Sequence, residues 1–372
     1  MKKVGIIMGA MLLMALLNMG EVSAQAANIV ILVSDNEADL TLAEKVAELL
    51  NATIVVTSWG VYNEEVTAEI ASLGPSLVLI IGGPRAVVSL YEEDLTDLGI
   101  NVTRIGGEDR VGTCRLVLEM LAKDYPELLK NVGGAIAYGW DIAALMQIKA
   151  RKGLLPVLVS ENETVDEQIL QKFKNVTIME TPYSLRVMER VRAHIGEIAK
   201  EERLNITAEV AWEAIEIAEN RTALAEELLQ NVTIPAASKL LETAQKLLTE
   251  AKNAYEDGNY EKAYGLAIAA KAHAEAVIRM AGEDAEMSIR KSLSLKLELK
   301  VRMIERVALR LQAIGYNVSQ ELQLLQQAKE ALKRGDTSKA LKILEEVEQM
   351  IREKVRTVPP RHHKMPIRPG RP

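Results

Sequence analysis

Apolar runs of strand length alternate with amphipathic helical patterns over the first part of the chain. At Ala38–Leu50 apolar residues recur every three or four positions with charged residues between them, which predicts a helix with one buried face. Alternation of this kind is typical of α/β proteins with a mostly parallel sheet. A further helix is predicted at Glu64–Leu73, and strands are predicted at Ile29–Val33, Ile54–Thr57, Leu77–Ile81 and Val102–Ile105.

The same alternation starts again at Ala135. Strands are predicted at Ala135–Tyr138, Leu155–Val159 and Val176–Met179, with helices at Asp141–Ala150 and Val165–Phe173. We therefore expect residues 27–195 to form an α/β domain of one to two degenerate repeats on a mostly parallel sheet.

Beyond Thr207 the sequence is rich in Ala, Leu, Glu and Lys at helical spacing, so residues 196–355 are predicted to be all-helical. An apolar stripe in residues 240–254 is interrupted by Asp257-Gly258-Asn259 and resumes at Ala263, which predicts a helical hairpin. Residues 247–263 resemble residues 324–340, so we expect a second hairpin. Ser292–Met303 alternates like a strand, but its composition and heptad spacing favour helix. Whether these helices form a monomeric bundle or a multimeric coiled coil stays open.

Both ends of the sequence have distinct compositions. Met1-Lys2-Lys3, the apolar run Val4–Leu17 and the small residues before Ala26 are typical of a secretory signal peptide, so residues 1–26 are predicted to be cleaved off, after Ala24 or Ala26. An uncleaved anchor is less consistent with this short run, because a spanning helix needs about 20 apolar residues. No other stretch is predicted to cross a bilayer. The basic, proline-rich residues 356–372 are predicted to be a disordered tail that either solubilises the protein or tethers it to an anionic surface.

Composition narrows the function classes. The 372 residues are 48% hydrophobic and carry a net charge of −7, so a chain with large cores is expected and nucleic acid is not an expected partner. An aromatic content of 3% argues against stacking of nucleic-acid bases or sugars. The lone cysteine, Cys114, is interpreted as a small core residue rather than a nucleophile. His362-His363 is too weak a signal for a metal site, and nothing in the sequence indicates a cofactor.

Eight Asn-x-Ser/Thr sequons are more than chance provides. In an exported chain they predict N-glycosylation of exposed sites. The acceptors are Asn51, Asn101, Asn162, Asn175, Asn205, Asn220, Asn231 and Asn317.

Two strands end in glycine pairs, Gly82-Gly83 and Gly106-Gly107. A glycine pair lets the chain turn sharply and points backbone N–H groups at a ligand, although any turn between a strand and a helix benefits from glycine. Neither loop has the spacing of a dinucleotide-binding loop or a P-loop.

These loops resemble the type 2 cell-wall-binding repeat of prokaryotic surface proteins. The similarity lies in Ile80–Val87, which reads IIGGPRAV, and in Thr103–Thr113, which reads TRIGGEDRVGT. It extends over about residues 28–195, although Val111 replaces the family's usual aromatic and Glu180-Thr181-Pro182 replaces a second Gly-Gly-Pro. The resemblance implies association with the cell envelope, through an anionic glycopolymer or a surface layer, and it allows self-association. Together with the sequons, it favours an archaeal-like envelope.

The candidate contact residues for a ligand or a second subunit are Gly82, Gly83, Arg85, Arg104, Gly106, Gly107, Asp109 and Arg110. Guanidinium groups suit carboxylates or phosphates, and Asp109 could orient an arginine; the alternative is an internal Asp–Arg pair.

We therefore expect a non-catalytic, exported surface protein with a helical spacer or interaction domain. The alternative is a scaffold associated with the surface layer, whose helical domain binds other proteins while the α/β domain is structural only. An enzyme is not expected, because neither GxSxG nor HExxH occurs.

Overall fold

The computed structural model describes residues 28–162, 165–195, 199–230 and 234–360. The predicted signal peptide, Asn231 and residues 361–372 of the predicted tail lie outside the described residues.

The first α/β unit, residues 28–132, has a parallel four-stranded sheet. Its elements are β1 (Ile29–Ser34), α1 (Glu37–Leu50), β2 (Thr53–Thr57), α2 (Glu64–Ser72), β3 (Leu77–Ile81), α3 (Ser89–Asp97), β4 (Val102–Ile105), α4 (Arg110–Asp124) and α5 (Pro126–Leu129). The strand order is β2-β1-β3-β4. Successive residues of a strand point to opposite faces, so Ile31 and Val33 pack with α1 and α4 while Val30 and Leu32 pack with α2 and α3.

The second α/β unit, residues 133–203, repeats this topology. Its elements are β5 (Gly133–Tyr138), α6 (Ile142–Ala150), β6 (Leu154–Val159), α7 (Glu167–Leu170), β7 (Asn175–Glu180), α8 (Leu185–Ile195) and β8 (Lys200–Arg203). The strand order is β6-β5-β7-β8, again all parallel. The predicted α/β class is thus confirmed. The helix predicted over Val165–Phe173 is shorter than expected, and β8 was not predicted because its sequence, KEER, contains no apolar residue.

Helices α1 and α4 lie between the two units. Cys114 of α4 donates to the carbonyl oxygen of Pro156 in β6 at 3.3 Å, and Lys45 of α1 donates to that of Arg151 at 3.0 Å. One apolar core contains residues of both sheets and both helices. Each unit therefore stabilises the other.

The predicted helical region follows and is confirmed. It consists of α9 (Ala208–Leu229), α10 (Pro235–Glu256), α11 (Tyr260–Lys291), α12 (Leu293–Ala313), α13 (Ser319–Lys333) and α14 (Thr337–Arg356). Helices α9, α10 and α11 pack on one another, whereas α12, α13 and α14 enclose one core with α2 and α3. Residues 293–303 are helical and Ser292 caps their helix, and the apolar residues Leu297 and Val301 are buried within this chain.

Both predicted hairpins are present, as α10–α11 and α13–α14. Each turns at a glycine in the left-handed region, Gly258 with φ of 75° and Gly335 with φ of 77°. Each then starts its second helix with an amide or carboxylate cap, Asn259 or Asp336. The sequence repeat therefore reflects two turns of the same kind, each with a left-handed glycine followed by a helix-capping residue.

The helical region extends slightly beyond residue 355, where the boundary with the tail was predicted. Helix α14 ends at Arg356, and Val358 is buried against Gly74. In the parts of the chain that the structure describes, no helix combines the length and the apolar character that crossing a bilayer requires.

Candidate functional site

A pocket of about 910 Å³ lies at the carboxyl ends of β3 and β4. Ligands of open parallel sheets commonly bind at this edge. Of the sequence candidates, Gly82 and Arg104 lie outside the lining. The lining residues are Asn36, Asp39, Trp59, Gly83, Pro84, Arg85, Ala86, Gly106, Gly107, Glu108, Asp109, Arg110, Gly112, Thr113, Arg115, Leu116, Trp140 and Arg279.

The two glycine pairs touch each other. A Cβ atom on Gly106 would lie 2.4 Å from the carbonyl oxygen of Gly82, and one on Gly83 would lie 2.6 Å from that of Gly107. These are contacts between two backbones, so a side chain at either position would push the loops apart. The packing of the two loops is therefore sufficient to explain the glycines.

Arg104 and Asp109 have internal roles. The guanidinium of Arg104 donates to the carbonyl oxygens of Gly82 at 3.0 Å and Val87 at 2.8 Å, and it pairs with Glu92 at 2.8 Å. Asp109 caps α4, because its Oδ1 accepts from the N–H of Gly112 at 2.8 Å. Asp109 thus holds a helix end instead of orienting an arginine.

Arg110 belongs to a buried charged cluster that joins α4 to α11. Its Nη2 lies 3.6 Å from Oε2 of Glu275, and its guanidinium carbon lies 4.9 Å from the ring centre of Trp140. Glu275 also pairs with Lys271 at 2.6 Å. Burial opposes the charge of Glu275, but the cations Lys271 and Arg110 outweigh burial and lower the pKa of this carboxyl.

Further ion pairs extend the charged cluster to α1 and α9. Lys271 lies 2.8 Å from Glu37, and Arg221 lies 2.8 Å from Asp35 at the end of β1. Lys271, Glu275 and Arg221 are all buried. The helical region is therefore fixed to the edge of the sheet at which the pocket opens.

Asp39 lies beside the charged cluster and lines the pocket. The residue is 5% exposed, and its Oδ1 is buried without a hydrogen-bond partner among the described residues. Burial raises the pKa of Asp39 to about 6, against the opposing charge of Arg110. A hydroxyl group of a ligand could donate a hydrogen bond to this oxygen.

Three arginines of the pocket can bind a ligand. Arg85 has a side chain that is 65% exposed, and it lies 3.9 Å from the exposed Glu283. Within the described ranges Arg115 and Arg279 form no ion pair. Guanidinium groups bind carboxylates and phosphates through paired donors, so the pocket has the chemistry to hold an acidic group.

Sequence reasoning missed Arg115, Arg279, Trp59 and Trp140 as lining residues. Arg115 could have been found, since it follows Arg110 on the same helix. Arg279 could not, because its helix lies far along the chain and its pattern indicates only a packed helix.

The second unit holds the loops after β5 and β7 with polar side chains. Asp141 is fully buried and accepts hydrogen bonds from Thr181 Oγ1 at 2.6 Å and from the hydroxyl of Tyr264 at 2.8 Å. The hydroxyl of Tyr264 accepts in turn from the N–H of Ala143 at 2.9 Å. Ser184 closes the turn after β7 by accepting from the N–H of Thr181 at 3.0 Å. The turn at Thr181 and Ser184 follows β7 and so occupies the place that Gly82-Gly83 occupies after β3 in the first unit.

Cys114 lies in the shared core, where burial raises the pKa of its thiol to about 12. At neutral pH this thiol is protonated and unreactive. In the portion of the chain described above, no group of His, Cys, Asp and Glu side chains is placed to hold a metal ion.

The sequon asparagines are accessible. All seven that lie in described residues are exposed, including Asn51 and Asn101 near the first sheet and Asn317 between α12 and α13. An oligosaccharyltransferase could therefore reach each of them in the folded chain.

The sequence is similar to those of uncharacterized archaeal proteins. An uncharacterized protein of Methanocaldococcus jannaschii is 32% identical over 252 residues, which are 64% of this chain and 71% of that protein. The chain belongs to the family of this archaeal protein. Uncharacterized proteins of Pyrococcus abyssi and Pyrococcus horikoshii are 29% and 32% identical to this chain. These matches cover 43% and 38% of this chain and about half of each relative, 49% and 51%.

No family model matches the sequence. Among solved structures, a chain described as Cwp6 from Clostridium difficile is 22% identical, with a TM-score of 0.38, over 48% of this chain and 30% of that one. A likeness of that size supports no inference about function.

Proposed function

We propose that this is a non-catalytic, exported protein of the cell envelope, whose pocket binds acidic groups of an envelope glycopolymer. The observation that carries the proposal is the convergence of Arg85, Arg115 and Arg279 in one pocket, with the buried acceptor of Asp39 beside them. Arginines suit the acidic groups of such a polymer, and a carboxyl group suits its hydroxyls.

Three features of the sequence support the location. The signal-like segment at residues 1–26 favours export, the exposed sequons favour a glycosylated surface, and the loop motifs resemble wall-binding repeats. Mass spectrometry of the protein from its native source should find an N-terminus after Ala24 or Ala26 and glycans on exposed sequons. Retention of residues 1–23 without any glycan would count against export.

The second candidate is a scaffold that binds surface-layer proteins through its helices. Exposed apolar side chains near the junction of α11 and α12 favour it, namely Met287 at 51%, Leu293 at 54% and Leu295 at 45% exposure. In that case the pocket would be structural only.

Retention of the full chain on isolated native envelopes tests both candidates. The double variant Arg115→Ala/Arg279→Ala removes two pocket cations, and Arg334→Ala/Lys246→Ala removes two exposed cations from α10 and the end of α13. The proposal predicts that only the pocket variant loses retention, by about tenfold or more, because each lost charge-assisted contact weakens binding. Equal retention of both variants would contradict binding through the pocket, whereas loss of retention only in Leu293→Ser/Leu295→Ser would favour the scaffold.

A further inference from the structure

Three aromatic side chains stand together at the carboxyl end of the second sheet. Tyr138 ends β5, Trp140 follows it, and Tyr183 lies in the turn after β7. The ring centres of Tyr138 and Trp140 are 5.2 Å apart, and those of Tyr138 and Tyr183 are 6.0 Å apart. We call Tyr138, Trp140 and Tyr183 the aromatic platform. The low aromatic content of 3% argues against sugar stacking only as an average over the chain, because three of its aromatic side chains meet at this one edge.

The aromatic platform is not simply an extension of the core. Tyr183 is 39% exposed, and Tyr138 and Trp140 are partly exposed. The hydroxyls of Tyr138 and Tyr183 and the indole N–H of Trp140 make no hydrogen bond to any described residue. The buried Tyr264 and Tyr91, in contrast, have hydroxyls that bond to side chains and backbone.

Hydrogen bonds in the turn and a ring contact with Tyr264 hold Tyr183 of the platform in place. The turn that carries Tyr183 is fixed by Thr181 and Ser184, and Thr181 is bonded to the buried Asp141. The ring of Tyr264 packs edge-on against Tyr183, at 5.6 Å and 81°. A ring fixed in this way loses little conformational entropy when a ligand packs on it.

The platform is continuous with the arginine pocket. Trp140 belongs to both, and the guanidinium of Arg110 lies 4.9 Å from its ring centre. Helix α11 passes both sites, since Tyr264 supports the platform and Arg279 lines the pocket. Tyr264 and Arg279 are fifteen residues apart on this helix, which corresponds to about 22 Å along the helix axis. A ligand that uses both sites is therefore an extended chain rather than a single sugar.

From this arrangement we infer that the aromatic platform binds the sugar rings of an acidic polysaccharide while the neighbouring arginines bind its acidic groups. The C–H faces of a pyranose ring pack on the electron-rich face of an aromatic ring, and its hydroxyls can bond the free Tyr138 and Tyr183 hydroxyls. The inference rests on the proposed function and adds the ligand's saccharide character.

Calorimetric titration of the full chain with polygalacturonate, polyphosphate and dextran tests the inference. Polygalacturonate offers sugar rings and charge, polyphosphate offers charge alone, and dextran offers sugar rings alone. Wild type should bind polygalacturonate most tightly. Tyr183→Ala should weaken that binding about tenfold and leave polyphosphate binding unchanged, and Tyr183→Phe should weaken it about two- to threefold. Trp212→Ala, which removes an exposed aromatic of α9, is the matched control and should change neither.

The possible results separate the two proposals. If Arg115→Ala/Arg279→Ala weakens binding of both anionic probes while Tyr183→Ala weakens neither, the platform is refuted and the pocket remains. If wild type binds polyphosphate as tightly as polygalacturonate, the saccharide contact is likewise refuted. Failure of wild type to bind either anionic probe would overturn the proposed function and the platform with it.

Discussion

The two α/β units have the same strand order but different chemistry at the carboxyl ends of their strands. In the first unit, backbone contacts between glycine pairs bring two loops together, and arginines surround the opening. In the second unit, Asp141, Thr181 and Ser184 hold the loops after β5 and β7, and aromatic rings lie at the surface. The sheet topology has thus been kept while the way of supporting the loops has changed.

This difference shows that the loops, and not the strands, distinguish the two halves. Helix α11 contacts both, through the charged cluster at Glu275 in the first unit and through Tyr264 in the second. Four substitutions test this contrast, in decreasing order of expected effect.

Gly106→Ala should have the largest effect on stability. Its Cβ would meet the backbone oxygen of Gly82 at 2.4 Å and the backbone nitrogen of Gly83 at 2.5 Å, and no rotamer change relieves a contact with backbone. We expect the free energy of unfolding, measured by urea denaturation, to fall by about 3 kcal/mol. Gly265→Ala in α11 has no neighbour within 4 Å of its Cβ and should gain about 0.5–1 kcal/mol. Equal tolerance of both substitutions would mean that the loops do not touch.

Tyr264→Phe tests the support of the second unit. It removes the donor to the buried Asp141 and leaves the N–H of Ala143 without an acceptor. Bonds to charged groups contribute about 2 kcal/mol each, so we expect a loss of about that size in thermal or urea unfolding. Tyr255→Phe is the control, because the hydroxyl of Tyr255 bonds to no described residue. A loss below about 0.5 kcal/mol would show that Asp141 does not depend on α11.

Asp39→Asn should change how stability depends on pH. The pKa of Asp39 rises from 3.8 to about 6 on folding, so between these values the folded protein holds a proton that the unfolded chain has released. The free energy of unfolding should therefore decrease as pH rises from about 4 to about 6. The variant should lack the part of this decrease that Asp39 contributes, whereas the part from Asp94, whose pKa burial also raises to about 6, should remain. The variant should be about 2 kcal/mol more stable than wild type at pH 7. Parallel pH profiles for wild type and variant would contradict the buried state of Asp39. The control is Glu127→Gln, which changes an exposed carboxyl and should leave the pH profile of stability unchanged.

Arg85→Ala should have the smallest effect on stability. Arg85 and its partner Glu283 are mostly exposed, at 65% and 60%, so the free energy of unfolding should change by less than about 0.5 kcal/mol. Binding of polygalacturonate should nevertheless weaken, by a few-fold in calorimetric titration. A large loss of stability would identify Arg85 as a structural residue like Arg104.

The sequence predicts those parts of the fold that local patterns determine. The apolar strands and the paired helical hairpins follow from periodicity and turn residues, and Gly83, Gly106 and Arg110 were placed at one site by their loop motif. The edge strand β8 could not be predicted, because its exposed, charged residues carry no burial pattern. The partners of Arg110 and Asp141 could not be predicted either. Two of these partners, Glu275 and Tyr264, lie on α11, far along the chain, and only tertiary packing brings them to the sheet edges.

Hydrogen exchange of the full chain, followed by mass spectrometry with and without an acidic oligosaccharide, tests the central claim most directly. If the pocket binds the acidic groups, exchange should slow at residues 106–116 and 138–140, and around Arg279, while residues 319–356 stay unchanged. Protection confined to residues 285–296, with no change at 106–116, would contradict the pocket as the binding site.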